Sequence, residues 1–540
     1  MICVSIGRGR HKMLMAEHGH VARLGAKLAE LRLDYLLRTV DLNRLVNDRP
    51  TETVITCRRP VDGGKWRGSE EDRIILLRSA IVTGVEYVDI EEDIASQIRR
   101  YGKTKRIISY HNLKETPSNL EAIYESMLEK DPDIIKIATF ANSPVDNVRV
   151  LNLVKKSKVP TIAFCMGDLG MPSRIICLKY GAPFTFAALS NERATAPGQF
   201  TFKQLNDLYG VERINSETEF LGVIADPVGH SLSPALHNEL LQNDGINKVY
   251  LPIRVPRESL DVFMESIREM ALTGLSVTIP HKESILRFVN GLDEDVAGIR
   301  AANTLVVKNN SNLAYNTDCK AAMLSLAHEE GKYDQKQPFV GRTALILGSG
   351  GVAKAIAFGL TKGGATVAIT GRNTKTAEKM AQDFKAKYVD WSFRHDFQTD
   401  YIINCTPAGM HPDLNSTAYD VDRLQSHHLV FDTVYTPQKT MLIKGAMERG
   451  CRIITGVDMF VRQAAMQYKL FTGTDPNVAE MKRIFVQAIN PAKFSKKAGS
   501  PKTSDKQPPT EADKNAASDP VADGTSKSPL KSKTSEKPVE

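Results

Sequence analysis

The sequence predicts an α/β protein: a closed (β/α)8 barrel, then a two-lobed α/β region with a Rossmann-type dinucleotide turn, then a disordered C-terminal tail. Three observations carry that expectation. Eight short apolar segments recur between helical, charged stretches over the first 210 residues or so. A glycine-rich turn stands between a strand-like and a helix-like segment within Thr343–Asn373. From Lys493 to Glu540 the chain is Lys, Ser, Pro, Thr, Asp and Glu with almost no large apolar residue. Such a segment buries too little surface to offset its ordering entropy.

The eight segments are ICVSIG from Ile2, ELRLDYL from Glu30, TVITCR from Thr53, YVDIEE from Tyr87, RIISYH from Arg106, IIKIATF from Ile134, TIAFCM from Thr161 and FTFAAL from Phe184. Strands alternating with helical patterns imply βαβ units and a parallel sheet. Eight of them fit a closed barrel, whose chemistry sits at the C-terminal strand ends. The residues there are polar. Glu30 and Arg32 lie on the second strand and Arg58 ends the third; Glu91 ends the fourth and His111 the fifth. Lys136 lies on the sixth, Arg174 follows the seventh, and Thr195 to Gln199 follow the eighth.

Lys136 stands among Ile134, Ile135, Ile137 and Ala138. A strand lysine of this kind can point outward or snorkel to water, but its place on a polar rim suits chemistry better. A desolvated lysine near cations loses its proton readily, and a neutral amine attacks ketones. His111 titrates near neutrality and can move protons. Glu91 can orient it, and Arg58 and Arg174 offer forks for a carboxylate.

TCRRPVDGG, YVDIEED, ISYHNLKETP, DIIKIA, MPSR and TAPGQ, in that order, resemble the successive motifs of type I 3-dehydroquinate dehydratase over residues 1–212. The resemblance implies that Lys136 forms a Schiff base with a ketone, and that His111 is the general acid/base with Glu91 behind it. It also puts Arg58, Arg174, Thr195 and Gln199 at the substrate, with Glu30 and Arg32 expected beside them. Thr195 stands where serine is more usual, and Asp62 where glutamate is.

After a short polar linker, GVERINSE, the pattern restarts at FLGVIADPVGHSLSPALHNELL. In the later turn, Gly348 and Gly350 permit close approach of a pyrophosphate to a helix N-terminus, flanked by Ser349, Gly351 and Val352. The next strand ends in Gly371, Arg372 and Asn373, a cation without an acid, which favours NADP over NAD. Ser231 and Ser233 suit a carboxylate, and a Lys282/Asp318 pair can deliver a proton as hydride moves; the bland alternative is a surface salt bridge. DPVGHSLSP, VTIPHK, AANTL, YNTD, GSGG, NCTPAGM and GVDMFVRQA resemble shikimate dehydrogenase over about 219–490. That implies Ser231, Ser233, Thr278, Asn303, Asp318 and Gln463 at the substrate, Lys282 with Asp318 as the catalytic pair, and Thr406 and Gly456 beside the cofactor. Ser276 replaces a usual asparagine, Cys319 a glycine, and Thr376 the second basic residue of the cofactor loop, with Lys375 adjacent.

The expected divisions are therefore 1–212 for the barrel, 219–337 for a substrate lobe and 338–440 for the Rossmann lobe. Helices returning to the substrate lobe fill 441–490, and the tail is 491–540. The two resemblances together imply a bifunctional dehydratase–dehydrogenase acting on 3-dehydroquinate and then 3-dehydroshikimate with NADPH. The alternatives are a quinate-directed, NAD-dependent second half and a non-catalytic scaffold.

Composition agrees with a globular enzyme: 42% hydrophobic, 25% charged, net charge +8 with part of it in the tail. Aromatic residues are not interleaved with basic ones, so nucleic-acid binding is not expected. The seven cysteines are odd in number and never spaced as CxxC, which suits free thiols and no metal site. No apolar run approaches the ~20 residues of a membrane span. The expectation is a cytoplasmic protein with small-molecule partners, its oligomeric state left open.

Overall fold

The computed structural model describes residues 1–229, 231–308 and 310–489. The expected disordered tail lies outside the described residues. Eight parallel strands build the first half: β1 (Ile2–Ile6), β2 (Leu28–Arg32), β3 (Glu52–Thr56), β4 (Tyr87–Glu91), β5 (Lys105–His111), β6 (Ile134–Phe140), β7 (Thr161–Met166) and β8 (Thr185–Ala188). Their ladder runs β7-β6-β5-β4-β3-β2-β1-β8.

Strand alternation sorts each segment between two cores. On β6, Ile135 and Ile137 pack outward against the helices, while Ile134 and Ala138 join the barrel interior with Cys3, Leu28, Tyr87 and Phe186. Lys136, between Ile134 and Ala138 in the period of two, therefore faces inward. The same rule turns Asp89 and Glu91 inward behind Tyr87.

The barrel is less completely closed than expected. No ladder pairing joins β7 to β8, whose four residues form a ladder only with β1. Side chains bridge the gap, with the Phe164 and Phe186 rings 6.3 Å apart. The Gly167 N–H also donates to the Pro197 carbonyl at 3.2 Å.

The second half has two sheets. The first is mixed, in the order β10-β9-β11-β13-β14-β12, from β9 (Glu219–Ala225), β10 (Lys248–Arg254), β11 (Leu272–Val277), β12 (Gly291–Leu292), β13 (Thr304–Lys308) and β14 (Ser311–Tyr315). The second is all parallel, β17-β16-β15-β18-β19-β20, from β15 (Thr343–Leu347), β16 (Thr366–Thr370), β17 (Lys387–Tyr388), β18 (Tyr401–Asn404), β19 (Leu429–Asp432) and β20 (Arg452–Ile454). The Rossmann sheet thus runs past residue 440: β20 is its edge strand, and the helix Met441–Glu448 packs on β19 and β20. Only the helices Gly456–Thr472 and Val478–Ile489 return to the substrate lobe.

The barrel and the substrate lobe share one hydrophobic core, in which Val150 and Leu153 meet Leu260 and Phe263 in a continuous cluster. Polar contacts cross the same junction. Gln242 donates to the Leu208 carbonyl at 2.9 Å, and the Tyr180 hydroxyl to the Glu269 carbonyl at 2.8 Å.

Candidate active sites

A cavity of about 280 Å³ opens at the C-terminal ends of the barrel strands. Glu30, Arg32, Arg58, His111, Lys136, Arg174, Thr195 and Gln199 all line it, with Asp62 at its edge. At its floor the Lys136 ammonium donates to Asp89 Oδ2 at 2.8 Å, 3.9 Å from Glu30, and sits 4.1 Å over the Phe186 ring. Arg58 lies between the acids, 2.8 Å from Asp89 and 3.1 Å from Glu91, and its Nη1 is 3.2 Å from His111 Nδ1.

Burial pushes the Asp89 carboxyl up, but the charges of Arg58 and Lys136 outweigh it and hold it well below the usual range. His111 is shifted downward too, but for a base this favours the neutral form. Loss of water, then the charges of Arg58 and Lys136, push its pKa well below that of free imidazole. The ring is therefore neutral in the resting site rather than poised near neutrality as expected.

Glu91 is not where the sequence reading put it. No hydrogen bond or ion pair joins it to His111. Its two oxygens are held by Arg58 and by the fully buried Arg73, which the helix Glu70–Val82 delivers under β4. The histidine's charged neighbour is Arg58, and the acid at the lysine is Asp89, which the sequence reading passed over. The signal was there: Asp89 stands two residues before Glu91, on the same strand face.

The three rim arginines differ in kind. Arg32 grips Asp34 through two bonds of 2.9 and 2.8 Å, and Arg58 is surrounded by acids. Arg174 is 1% exposed yet has no carboxylate partner among the described residues. It donates only to the Pro197 carbonyl at 3.1 Å, lies 4.4 Å from the Phe164 ring centre, and leaves its Nε unbonded. Burial pulls its pKa down to about 10. An unpaired buried cation facing a cavity is a receptor for an anion. Thr195 and Gln199 close that side by bonding each other, from the Thr195 N–H to Gln199 Oε1 at 2.8 Å.

The second site is a cavity of about 180 Å³ between the two lobes. Ser231, Ser233, Thr278, Lys282, Asn303, Asp318 and Gln463 line it, as do Ser276, Tyr435 and Gln467, which the sequence reading did not place at the substrate. Lys282 donates to Asp318 Oδ2 at 2.6 Å, with side chains 13% and 9% exposed. The pair is therefore not a solvated surface bridge. Asn303 is already engaged: its Oδ1 accepts from the Thr317 N–H at 2.9 Å and its Nδ2 donates to Thr317 Oγ1.

The glycine turn reaches the same place. Gly348 has φ +115°, and a Cβ there would meet the Cys405 carbonyl at 3.1 Å, so glycine is needed. The helix Gly351–Lys362 starts at Gly350 with its N-terminus open, suited to a phosphate. Gly351 lies 3.1 Å, measured from an added Cβ, from the Lys282 stem, and Val352 lines the second cavity. Arg372 is exposed and ion-pairs with no described residue. Asn373 spends its Oδ1 on the Thr376 N–H as a helix cap, and Thr376 in turn bonds Ser349 at 2.9 Å. Thr406 donates to Asn404 at 2.7 Å. At Gly456, a Cβ would meet the Val434 carbonyl at 2.4 Å.

Comparison with known proteins agrees with this division. Family models match as type I 3-dehydroquinase over residues 2–216 and as the shikimate dehydrogenase substrate binding domain over 223–305. Others match as an NADP oxidoreductase, coenzyme F420-dependent, over 343–435 and as the shikimate 5'-dehydrogenase C-terminal domain over 456–484. The chain is 34% identical over 498 residues to the bifunctional 3-dehydroquinate dehydratase/shikimate dehydrogenase, chloroplastic, of Arabidopsis thaliana, covering 88% of this chain and 82% of that one. It is 31% identical over 389 residues to the shikimate biosynthesis protein AroDE of Chlamydia pneumoniae, covering 71% and 77%. It is 32% identical over 287 residues to the shikimate dehydrogenase (NADP(+)) of Methanocaldococcus jannaschii, covering 51% and 99%. Among the described residues no helix is long and apolar enough to cross a membrane.

Proposed function

The chain belongs to the family of bifunctional 3-dehydroquinate dehydratase/shikimate dehydrogenases, and from that premise we propose how its two cavities divide the work. The barrel converts 3-dehydroquinate to 3-dehydroshikimate, and the second half reduces that product to shikimate with NADPH.

In the barrel, Arg174 takes the substrate carboxylate and brings the ketone to Lys136. The lysine, having passed a proton to the site, attacks the carbonyl carbon, and the carbonyl oxygen leaves as water. The iminium draws electrons from the neighbouring C–H bond, and neutral His111 takes that proton. The hydroxyl on the next carbon departs as water with the proton His111 returns. Hydrolysis then frees the amine and the enone. Asp89 and Glu30 hold the charge of Lys136 between turnovers, and Glu91 acts at a distance by fixing Arg58. The observation that carries this reading is the shared cavity of Lys136, His111 and the unpaired Arg174.

In the second site, Ser231 and Ser233 suit the substrate carboxylate. Lys282, paired with Asp318, gives a proton to the carbonyl oxygen as it becomes a hydroxyl. NADPH supplies the hydride when bound. The glycine turn and the helix N-terminus suit its pyrophosphate, and the unpaired Arg372 suits a 2′-phosphate.

Two measurements test this. The enzyme supplied with 3-dehydroquinate should yield shikimate with NADPH and little with NADH; quinate formation with NADH would favour the other substrate reading. Borohydride added with 3-dehydroquinate should trap an adduct on Lys136, and an untrapped, fully active enzyme would exclude the imine.

A further inference from the structure

The second cavity contains a chain of hydrogen bonds whose direction is fixed at every link. It begins at a backbone donor. The Thr317 N–H points to Asn303 Oδ1 at 2.9 Å, so that atom is the amide oxygen. Thr304 donates its hydroxyl hydrogen to the same oxygen at 2.8 Å. Its own oxygen is then left to accept, and Gln467 Nε2 donates to it at 2.9 Å and to the Asn303 carbonyl at 3.0 Å. Both acceptors require the nitrogen end of Gln467, so its Oε1 points the other way, 2.8 Å from Ser276 Oγ. An amide oxygen only accepts, hence Ser276 must donate. Its single hydrogen is consumed.

We infer that Gln467 is a positioning residue that fixes Ser276 as a hydrogen-bond acceptor toward the substrate, so that the dehydrogenase half selects a ring hydroxyl acting as donor at that point. Ser276 lines the cavity. Its oxygen keeps two lone pairs, and the buried Tyr250 hydroxyl beside it, which makes no aligned hydrogen bond of its own, can satisfy at most one of them. The other faces a ligand. Gln463 has the opposite sense: its Oε1 is turned to Asn303 Nδ2 and Thr317 Oγ1 at 3.4 Å each, so its Nε2 offers hydrogens to the cavity. Besides the Asp318 carboxylate, the pocket therefore presents a neutral obligate acceptor at Ser276 and an amide donor at Gln463. A serine in the place of a longer amide makes this possible, since an asparagine could offer either end.

This rests on the reduction of 3-dehydroshikimate proposed above, and its test separates the two. The wild-type enzyme is assayed in the oxidative direction with shikimate and with analogues in which each ring hydroxyl other than the one being oxidised is replaced in turn by hydrogen or by fluorine, which is close in size but cannot donate. At one ring position both replacements should lower kcat/KM by about tenfold or more, the cost of a buried acceptor left unpaired. Ser276→Ala should lower kcat/KM for shikimate itself to that level and abolish discrimination at that position alone. Gln467→Met frees the serine hydrogen, and should recover the fluoro analogue relative to shikimate while kcat changes less than KM. Discrimination that is equal at every position in the wild type, or unchanged in both variants, overturns the inference. Failure to oxidise shikimate at all would instead overturn the assignment of the reaction.

Discussion

Replacing Arg174 by methionine should weaken substrate binding severely while leaving the barrel as stable as before or slightly more so. Among the described residues the guanidinium is fully buried without a counter-ion, and its pKa falls to about 10, more than two tenfold steps below its value in water. At ~1.4 kcal/mol per tenfold, that costs about 3 kcal/mol. The sign follows from the direction: a cation whose folded pKa lies below its unfolded one is penalised wherever it is charged. The full penalty therefore holds at neutral pH and fades only above about pH 10. Against it stand the Phe164 ring contact, about 1 kcal/mol, and the bond to Pro197, about 1 kcal/mol. Methionine should thus leave stability within about 1 kcal/mol of the wild type, on the favourable side. Binding moves the other way. Two charge-assisted bonds to a carboxylate, at ~1.5 kcal/mol or more each, total about 3 kcal/mol, or roughly 150-fold in KM. Steady-state dehydration of 3-dehydroquinate reads the second effect, and calorimetric unfolding the first. A variant that melts well below the wild type while keeping its KM would make Arg174 a structural residue and not the carboxylate receptor.

The remaining expectations follow from the same geometry. Since His111 is held neutral well below the ordinary imidazole pKa, kcat/KM for dehydration should stay flat as pH falls through 6.5 (~6.5 being the free value), and an acid limb centred there would contradict the site. Asp89 has a depressed folded pKa, so the stability it contributes is present above its unfolded value of ~3.9 and fades only as pH falls below it. Asp89→Asn should remove that component, leave Lys136 and Arg58 short of a counter-charge, and cost about 3–5 kcal/mol, read by urea unfolding at pH 7 and pH 4. Arg372→Ala should raise the KM for NADPH about tenfold, the value of one charged hydrogen bond, and leave both NADH kinetics and dehydration alone; an unchanged NADPH preference would remove Arg372 from the cofactor site.

Much of this was legible in the sequence because strand period and motif order are local properties. The eight strands, the glycine turn, and the membership of Lys136, His111, Lys282 and Asp318 in two cavities could be read from spacing and resemblance. Which charge meets which could not. The rim holds Glu30, Asp89 and Glu91 against Arg58, Arg73 and Lys136, and the sequence names these groups without saying how they pair. Packing decided it, by bringing Arg73 in from a helix and so occupying Glu91. The division at residue 440 failed for a similar reason. Arg452–Ile454 is too short to announce itself as a strand, and only pairing with β19 makes it one. The gap between β7 and β8 is likewise a matter of which strands pair, which motif order does not report.

The continuous core between barrel and substrate lobe bears on how this chain can change over time. Leu260 and Phe263 help to cover the helix that carries Val150 and Leu153, so each half serves as part of the other's solvent shield. A gene split at the polar linker would release two bodies with matching greasy faces rather than two independent enzymes. Substitutions that suit one catalyst must also suit the seam. Fusion here links inheritance as well as stoichiometry: the two activities drift together, since neither half can remodel the shared face alone.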